Sequence, residues 1–166
     1  MARVDPEIAA ATLKQHVEDL WATGRPAQHG WEYVWLDSLQ LTVKMPAHRQ
    51  DGGIDHYHIR LGGEYYDAGP PTVSIIDPAT GQHALKNSKW FPRLKPPHWF
   101  GLHDAYSFPG QGTRQLVCFS GTAEYYLTNH SPKETEKWKQ GRHTIALTLN
   151  RLQEILSPPH YLGTSQ

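Results

Sequence analysis

Cys118 is the only cysteine among 166 residues, and it stands in an apolar run, Leu116-Val117-Cys118-Phe119. A lone thiol forms no internal disulfide, so it is either a small buried hydrophobe or a reactive nucleophile. The nucleophile is the thiolate. At an ordinary pKa near 8.5 only about a few per cent is ionised at pH 7, which is enough to attack an acyl group that arrives already activated. Eleven histidines widen the choice of chemistry. His56 and His58 would share one face of a strand, as two metal ligands do. No second Cys pair and no His-Glu-x-x-His helix supplies further ligands, so neither metal nor cofactor is expected. His103-Asp104 reads either as a carboxylate orienting an imidazole or as an exposed loop pair.

These groups need elements to hold them. Asp5-Pro6 opens a helix, with Ile8, Leu13, Val17, Leu20 and Trp21 near the 3.6-residue period and Gly24-Arg25-Pro26 ending it. Trp31 to Met45 mixes aromatic and β-branched residues as one strand or two. A polar turn at Arg49-Gln50-Asp51-Gly52-Gly53 leads to a strand over Asp55–Leu61, and Thr72–Ile76 makes another. Short turns between successive strands predict an antiparallel meander of about four strands. Residues 82 to 115 lack periodicity but carry many rings, which predicts an ordered loop. A final helix is expected from about Lys137 to Leu156, with Trp138, Ile145, Leu149, Leu152 and Leu156 on one face and Pro158-Pro159 stopping it. The fold class is α+β in a single domain, 1–166. Sixteen basic and sixteen acidic residues cancel, and no basic stripe exists for phosphate backbones, so nucleic acid is not an expected partner. No apolar run reaches the roughly 20 residues of a membrane span, and the start lacks a signal peptide's apolar stretch; a cytoplasmic protein is expected.

Taken in order, three features are similar to those of a ubiquitin-conjugating (E2) domain, a UBC-like fold. Tyr66 stands four and five residues before Pro70 and Pro71, matching the family's Tyr-Pro-x-x-Pro-Pro element with Asp67 for its first proline. Pro109 lies nine residues before Cys118, as the proline of the family's His-Pro-Asn tripeptide does before the active cysteine, but the histidine and asparagine are missing. Downstream, Trp138 and Thr144-Ile145, Leu149, Leu152, Leu156 and Pro158-Pro159 resemble the family's Trp and Leu-rich helix. The resemblance covers about residues 5–160, with a long loop insertion over about 78–107 and a longer stretch from Cys118 to Trp138. It is nearest to bacterial E2-like proteins of conjugation operons, some of them antiviral.

The resemblance implies that Cys118 accepts the C-terminal carbonyl of a ubiquitin-like protein as a thioester from an E1-like activating enzyme, then passes it to an amine of a protein substrate. In the family the missing asparagine is associated with the aminolysis step, and Gly110 offers no side chain. By residue type Asn129 and His130 are the best replacement, an amide donor and an imidazole, with His103 and Asp104 as a second pair. Asn129 and His130 also read as a plain turn. Glu124, Tyr125 and Tyr126 read as partner contacts or as ordinary packing. Two other functions fit the residues: an E2-like module that binds a ubiquitin-like protein without catalysis, and a Cys-His hydrolase or transferase on an unrelated scaffold.

Overall fold

In the structure, a computed structural model, residues 1–108, 112–128 and 130–165 are described. Helix α1, Pro6–Ala22, starts where Asp5 Oδ1 accepts from the backbone N–H of Glu7 (3.0 Å) and Ile8 (3.2 Å), with Pro6 pre-set for the first turn. It buries Ala9, Leu13, Val17 and Leu20. Ile8, expected on that face, is 62% exposed, because the buried stripe runs from Ala9 in steps of four and then three. A short helix α2, Arg25–His29, follows between Gly24 and Gly30, both in the left-handed region.

The stretch expected as one strand or two is two. β1, Glu32–Trp35, and β2, Gln40–His48, are divided by a turn in which Asp37 Oδ1 accepts from the Leu39 N–H (2.8 Å) and the Leu36 N–H donates to the Gln40 carbonyl (2.8 Å). β3, Ile54–Gly62, and β4, Thr72–Ile76, complete a four-stranded antiparallel sheet in the order β1-β2-β3-β4. This is the α+β class with the expected meander. Alternation puts Leu41, Val43, Met45, Tyr57, Ile59, Leu61, Val73 and Ile75 on one face, fully or nearly fully buried. They share a single core with Leu13 and Val17 of α1 and with Leu149 and Leu152 further along the chain.

The insertion expected as a loop over about 78–107 contains strand β5, Arg93–Leu94, and most of β6, Gly101–Phe108. β6 pairs with β7, Gly112–Cys118, as a separate antiparallel hairpin. A one-turn helix α3, Ala123–Leu127, follows. The C-terminal helix α4 is Ile145–Ile155, shorter than the expected 137–156. Thr144 is extended and its hydroxyl accepts from the Ala146 N–H (3.2 Å), which fixes the start there. Trp138 is buried in the core but lies outside the helix. Strand β8, Tyr161–Gly163, returns to pair with β5. Among the described residues no helix is long and apolar enough to cross a membrane.

Candidate functional site

The segment from Tyr66 to Pro71 organises the region around the cysteine. The buried Tyr66 hydroxyl accepts from the Ile145 N–H (2.9 Å) at the start of α4 and is hydrogen-bonded with His16 Nδ1 (2.6 Å) of α1. An N–H at a helix start has no partner within the helix, so Tyr66 satisfies a donor that burial would otherwise strand. The Trp138 indole donates to the Asp67 carbonyl (2.8 Å), and the Ala123 N–H donates to the Pro71 carbonyl (2.9 Å). One short element thereby anchors α3, α4 and the tryptophan.

Cys118 is the last residue of β7, paired across the hairpin with Gly101, and is 1% exposed. Gly101 leaves room at this pairing: a side chain there would sit 3.6 Å from Cys118 Cβ and 3.5 Å from His103 Nε2. Burial pushes the thiol up to about 12, the nearby Glu124 carboxylate adds to the rise, and the neighbouring Thr128 hydroxyl opposes it. Glu124 is itself buried in α3. Both of its oxygens accept from the Val73 N–H (3.0 and 3.1 Å), tying α3 to β4, and loss of water lifts its carboxyl to about 8.

His130 is stacked on Tyr125 with ring centres 4.4 Å apart. Its Nδ1 lies 3.1 Å from the Tyr125 carbonyl and 3.0 Å from Thr128 Oγ1. A carbonyl only accepts, so Nδ1 carries the proton and Nε2 is the basic nitrogen. Thr128 in turn donates to the Glu124 carbonyl (2.8 Å). The hydroxyl is thus a neighbour of both the imidazole and the sulfur. Were the thiol ionised, Thr128 could turn its proton to the sulfur while the His130 N–H supports it.

The structure brings His103 and His130 together, with ring centres 6.1 Å apart. It does not join His103 to Asp104. Neighbouring residues of β6 point to opposite faces, and Asp104 is engaged by Lys86. Asn129, Pro109 and Gly110 lie outside the described residues. His56 and His58 do share a face of β3, as alternation requires, with the His58 ring edge-on to Trp90 at 5.9 Å. The roles of Glu124 and Thr128 had no signal in the sequence, since neither a buried Glu in a one-turn helix nor a Thr beside a distant sulfur follows any spacing rule.

Over the cysteine runs a groove of about 510 Å³, lined by Trp99, Phe119, Tyr125, His130, His143 and Arg151 among others. The Arg151 guanidinium lies over the Trp99 ring at 4.7 Å, so the wall is aromatic with a cationic edge. Gly101 and Phe119 reach both the groove and the thiol's surroundings, which puts Cys118 beneath the groove floor. No protein-family model matches this chain, and no curated protein is significantly similar to it.

Proposed function

We propose that this protein is an E2-like conjugating enzyme that carries a ubiquitin-like protein as a thioester on Cys118. The observation that carries the reading is the bonding of Tyr66 and Trp138. Two of the three features of the resemblance, the Tyr-x-x-x-Pro-Pro element and the Trp with its Leu-rich helix, meet through the Tyr66 to Ile145 and Trp138 to Asp67 hydrogen bonds, beside the strand that ends in the cysteine. They form one unit, although nearly 80 residues separate Tyr66 from Ile145 in the chain.

The first step exchanges one thioester for another. The Cys118 sulfur attacks the activated carbonyl, its bond to the E1-like enzyme's sulfur breaks, and the Cys118 proton ends on that departing thiol. In the second step an amine of the protein substrate attacks, an amide forms, and Cys118 leaves as a thiolate that takes up the amine's proton. His130 Nε2 supplies a base for this transfer, and the Thr128 hydroxyl steadies the sulfur while it is charged. The groove admits the extended tail of the modifier. A cytoplasmic bacterial conjugation system, some examples of which act against viruses, is the setting this function fits.

A second reading is favoured by one observation. The thiol is 1% exposed and held at about 12, as in a module that grips a ubiquitin-like protein without forming a thioester. Expression of Cys118→Lys in the native host, followed by intact mass measurement, separates the two. An isopeptide adduct of one ubiquitin-like protein, absent from Cys118→Ala, supports the enzyme and identifies the modifier. No adduct while the partner proteins are expressed supports the binding module.

A further inference from the structure

The outer face of the sheet, opposite the core, carries a second and different cavity, of about 760 Å³. Its floor follows from register. Arg60 of β3 pairs directly with Ser74 of β4, and Gly62 pairs with Thr72, so these four residues project to the same side. Arg114 of β7 closes it from the hairpin, and Tyr65 and Tyr106 add ring surface. Gly62 matters for access to the floor: a side chain there would lie 2.3 Å from Thr72 Oγ1 and screen that hydroxyl.

A neighbouring histidine sets the direction of the hydrogen bonds. Arg114 bonds His83 Nε2, and a guanidinium only donates, so Nε2 is the bare nitrogen and Nδ1 carries the proton. Nδ1 therefore donates to Ser74 Oγ (2.9 Å). With its oxygen already receiving a hydrogen, Ser74 turns its own O–H towards another acceptor. Arg60 spends one N–H on the Gly81 carbonyl (2.8 Å), and its planar fork has further donors. Burial and the charges of Arg114 and Arg60 press His83 down to about 4, so the imidazole is neutral and both guanidinium fields act on this spot together.

The charges lining the cavity do not cancel. Arg3, Arg60 and Arg114 face Glu64 and Glu124. Glu64 is taken up by Arg3 at 3.4 Å, and Glu124 is largely protonated at neutral pH. Three guanidinium groups thus face two carboxylates, and the O–H of Ser74 and the hydroxyl of Thr72 add donors beside them. Planar guanidinium forks with hydroxyls are the chemistry that recognises phosphate oxygens, and the volume falls within the usual range of about 300 to 1,000 Å³ for small-molecule sites.

We propose that this cavity binds a small phosphate monoester, its phosphate held by Arg60, Arg114 and the Ser74 hydroxyl and its organic part against Tyr65 and Tyr106. The cysteine does not line this cavity, and the proposal does not rest on the conjugating function. The test is calorimetric titration of the full chain at low salt with AMP, inorganic phosphate and adenosine. AMP binds, adenosine does not, and binding weakens as salt is raised. Arg60→Gln weakens AMP at least tenfold, Arg60→Lys weakens it less, and Ser74→Val weakens it several-fold while removing only the hydroxyl. Thermal melts of each variant establish that it is folded. Inorganic phosphate binding as tightly as AMP also supports the phosphate site but removes the role of the two tyrosines. The proposal is overturned if neither AMP nor phosphate binds, if adenosine binds equally, or if a folded Arg60→Gln and a folded Ser74→Val both leave AMP affinity unchanged.

Discussion

Replacing Glu124 by glutamine should remove one pH-dependent loss of stability, so that the variant gains on the natural protein as pH rises from about 4.5 to about 8. The carboxyl is raised from 4.5 to about 8 because it is buried, so between those values it is protonated in the folded chain and ionised in the unfolded one. The unfolded state then binds fewer protons, and stability falls as pH rises through the window. At about 1.36 kcal/mol per pH unit the loss amounts to at most roughly 5 kcal/mol by pH 8. Glutamine keeps the shape and an oxygen for the Val73 N–H but has no proton to lose. Urea unfolding of both proteins at pH 5, 6, 7 and 8, followed by tryptophan fluorescence, measures the difference, and other titrating groups cancel because they are common to both. The variant should gain several kcal/mol on the natural protein between pH 5 and pH 8. Parallel stability curves would refute the reasoning, since they would mean that Glu124 is not held protonated. A second readout follows from the same geometry. Glu124 helps to raise the Cys118 thiol, so Glu124→Gln should speed alkylation of the native protein at pH 9.

Three further substitutions test the architecture and the site. Tyr66→Phe leaves the buried Ile145 N–H without its acceptor and should cost about 1 to 3 kcal/mol in urea unfolding, with α4 fraying first by hydrogen exchange. Gln153→Leu removes the acceptor of the Trp31 indole (2.7 Å) and the donor to the Pro46 carbonyl (2.8 Å), stranding two buried groups; a loss of about 2 to 5 kcal/mol is expected by the same measurement. Thr128→Val should slow alkylation of Cys118 about tenfold at pH 9 and Thr128→Ser should restore it, because only the hydroxyl lowers the thiol.

Periodicity reports burial, and the parts of the fold legible in the sequence are those where burial alternates. Leu41, Val43, Ile59, Leu61, Val73 and Ile75 each stand at every second position of a strand with one wet face, and their strands were readable. Helix α1 carried its own cap in Asp5-Pro6. The hairpin of β6 and β7 was not legible, because Gly101-Leu102-His103-Asp104-Ala105-Tyr106 has no apolar face to bury; its ladder is held by backbone hydrogen bonds, which leave no side-chain pattern. Trp138 misled the helix boundary for a related reason. It is buried at helical spacing from Ile145, but Gly141, at φ 76, breaks the chain between them, and position on a face cannot reveal a break. Of the candidate site, the cysteine and His130 could be read from residue type. Thr128, Glu124 and the diversion of Asp104 to Lys86 depend on partners brought together by folding, and nothing local encodes them.

The depth of Cys118 decides which experiment can identify the function. A thiol at about 12 is ionised roughly three thousandfold less at pH 7 than an ordinary one near 8.5, which corresponds to about 5 kcal/mol. An E2-like enzyme built this way stays inert until a partner displaces part of the groove wall and lets water or the modifier's tail reach the sulfur. The energy for that displacement comes from binding the activating enzyme and the charged modifier, so thioester formation should require both proteins together. A binding module with a merely structural cysteine would share the same slow alkylation when alone. Reactivity of the isolated protein therefore separates neither reading from the other. What separates them is whether the sulfur's reactivity rises when the partners are added, as the Cys118→Lys adduct reports directly: a lysine at this position can be acylated only if the partners open the site that the free protein keeps closed.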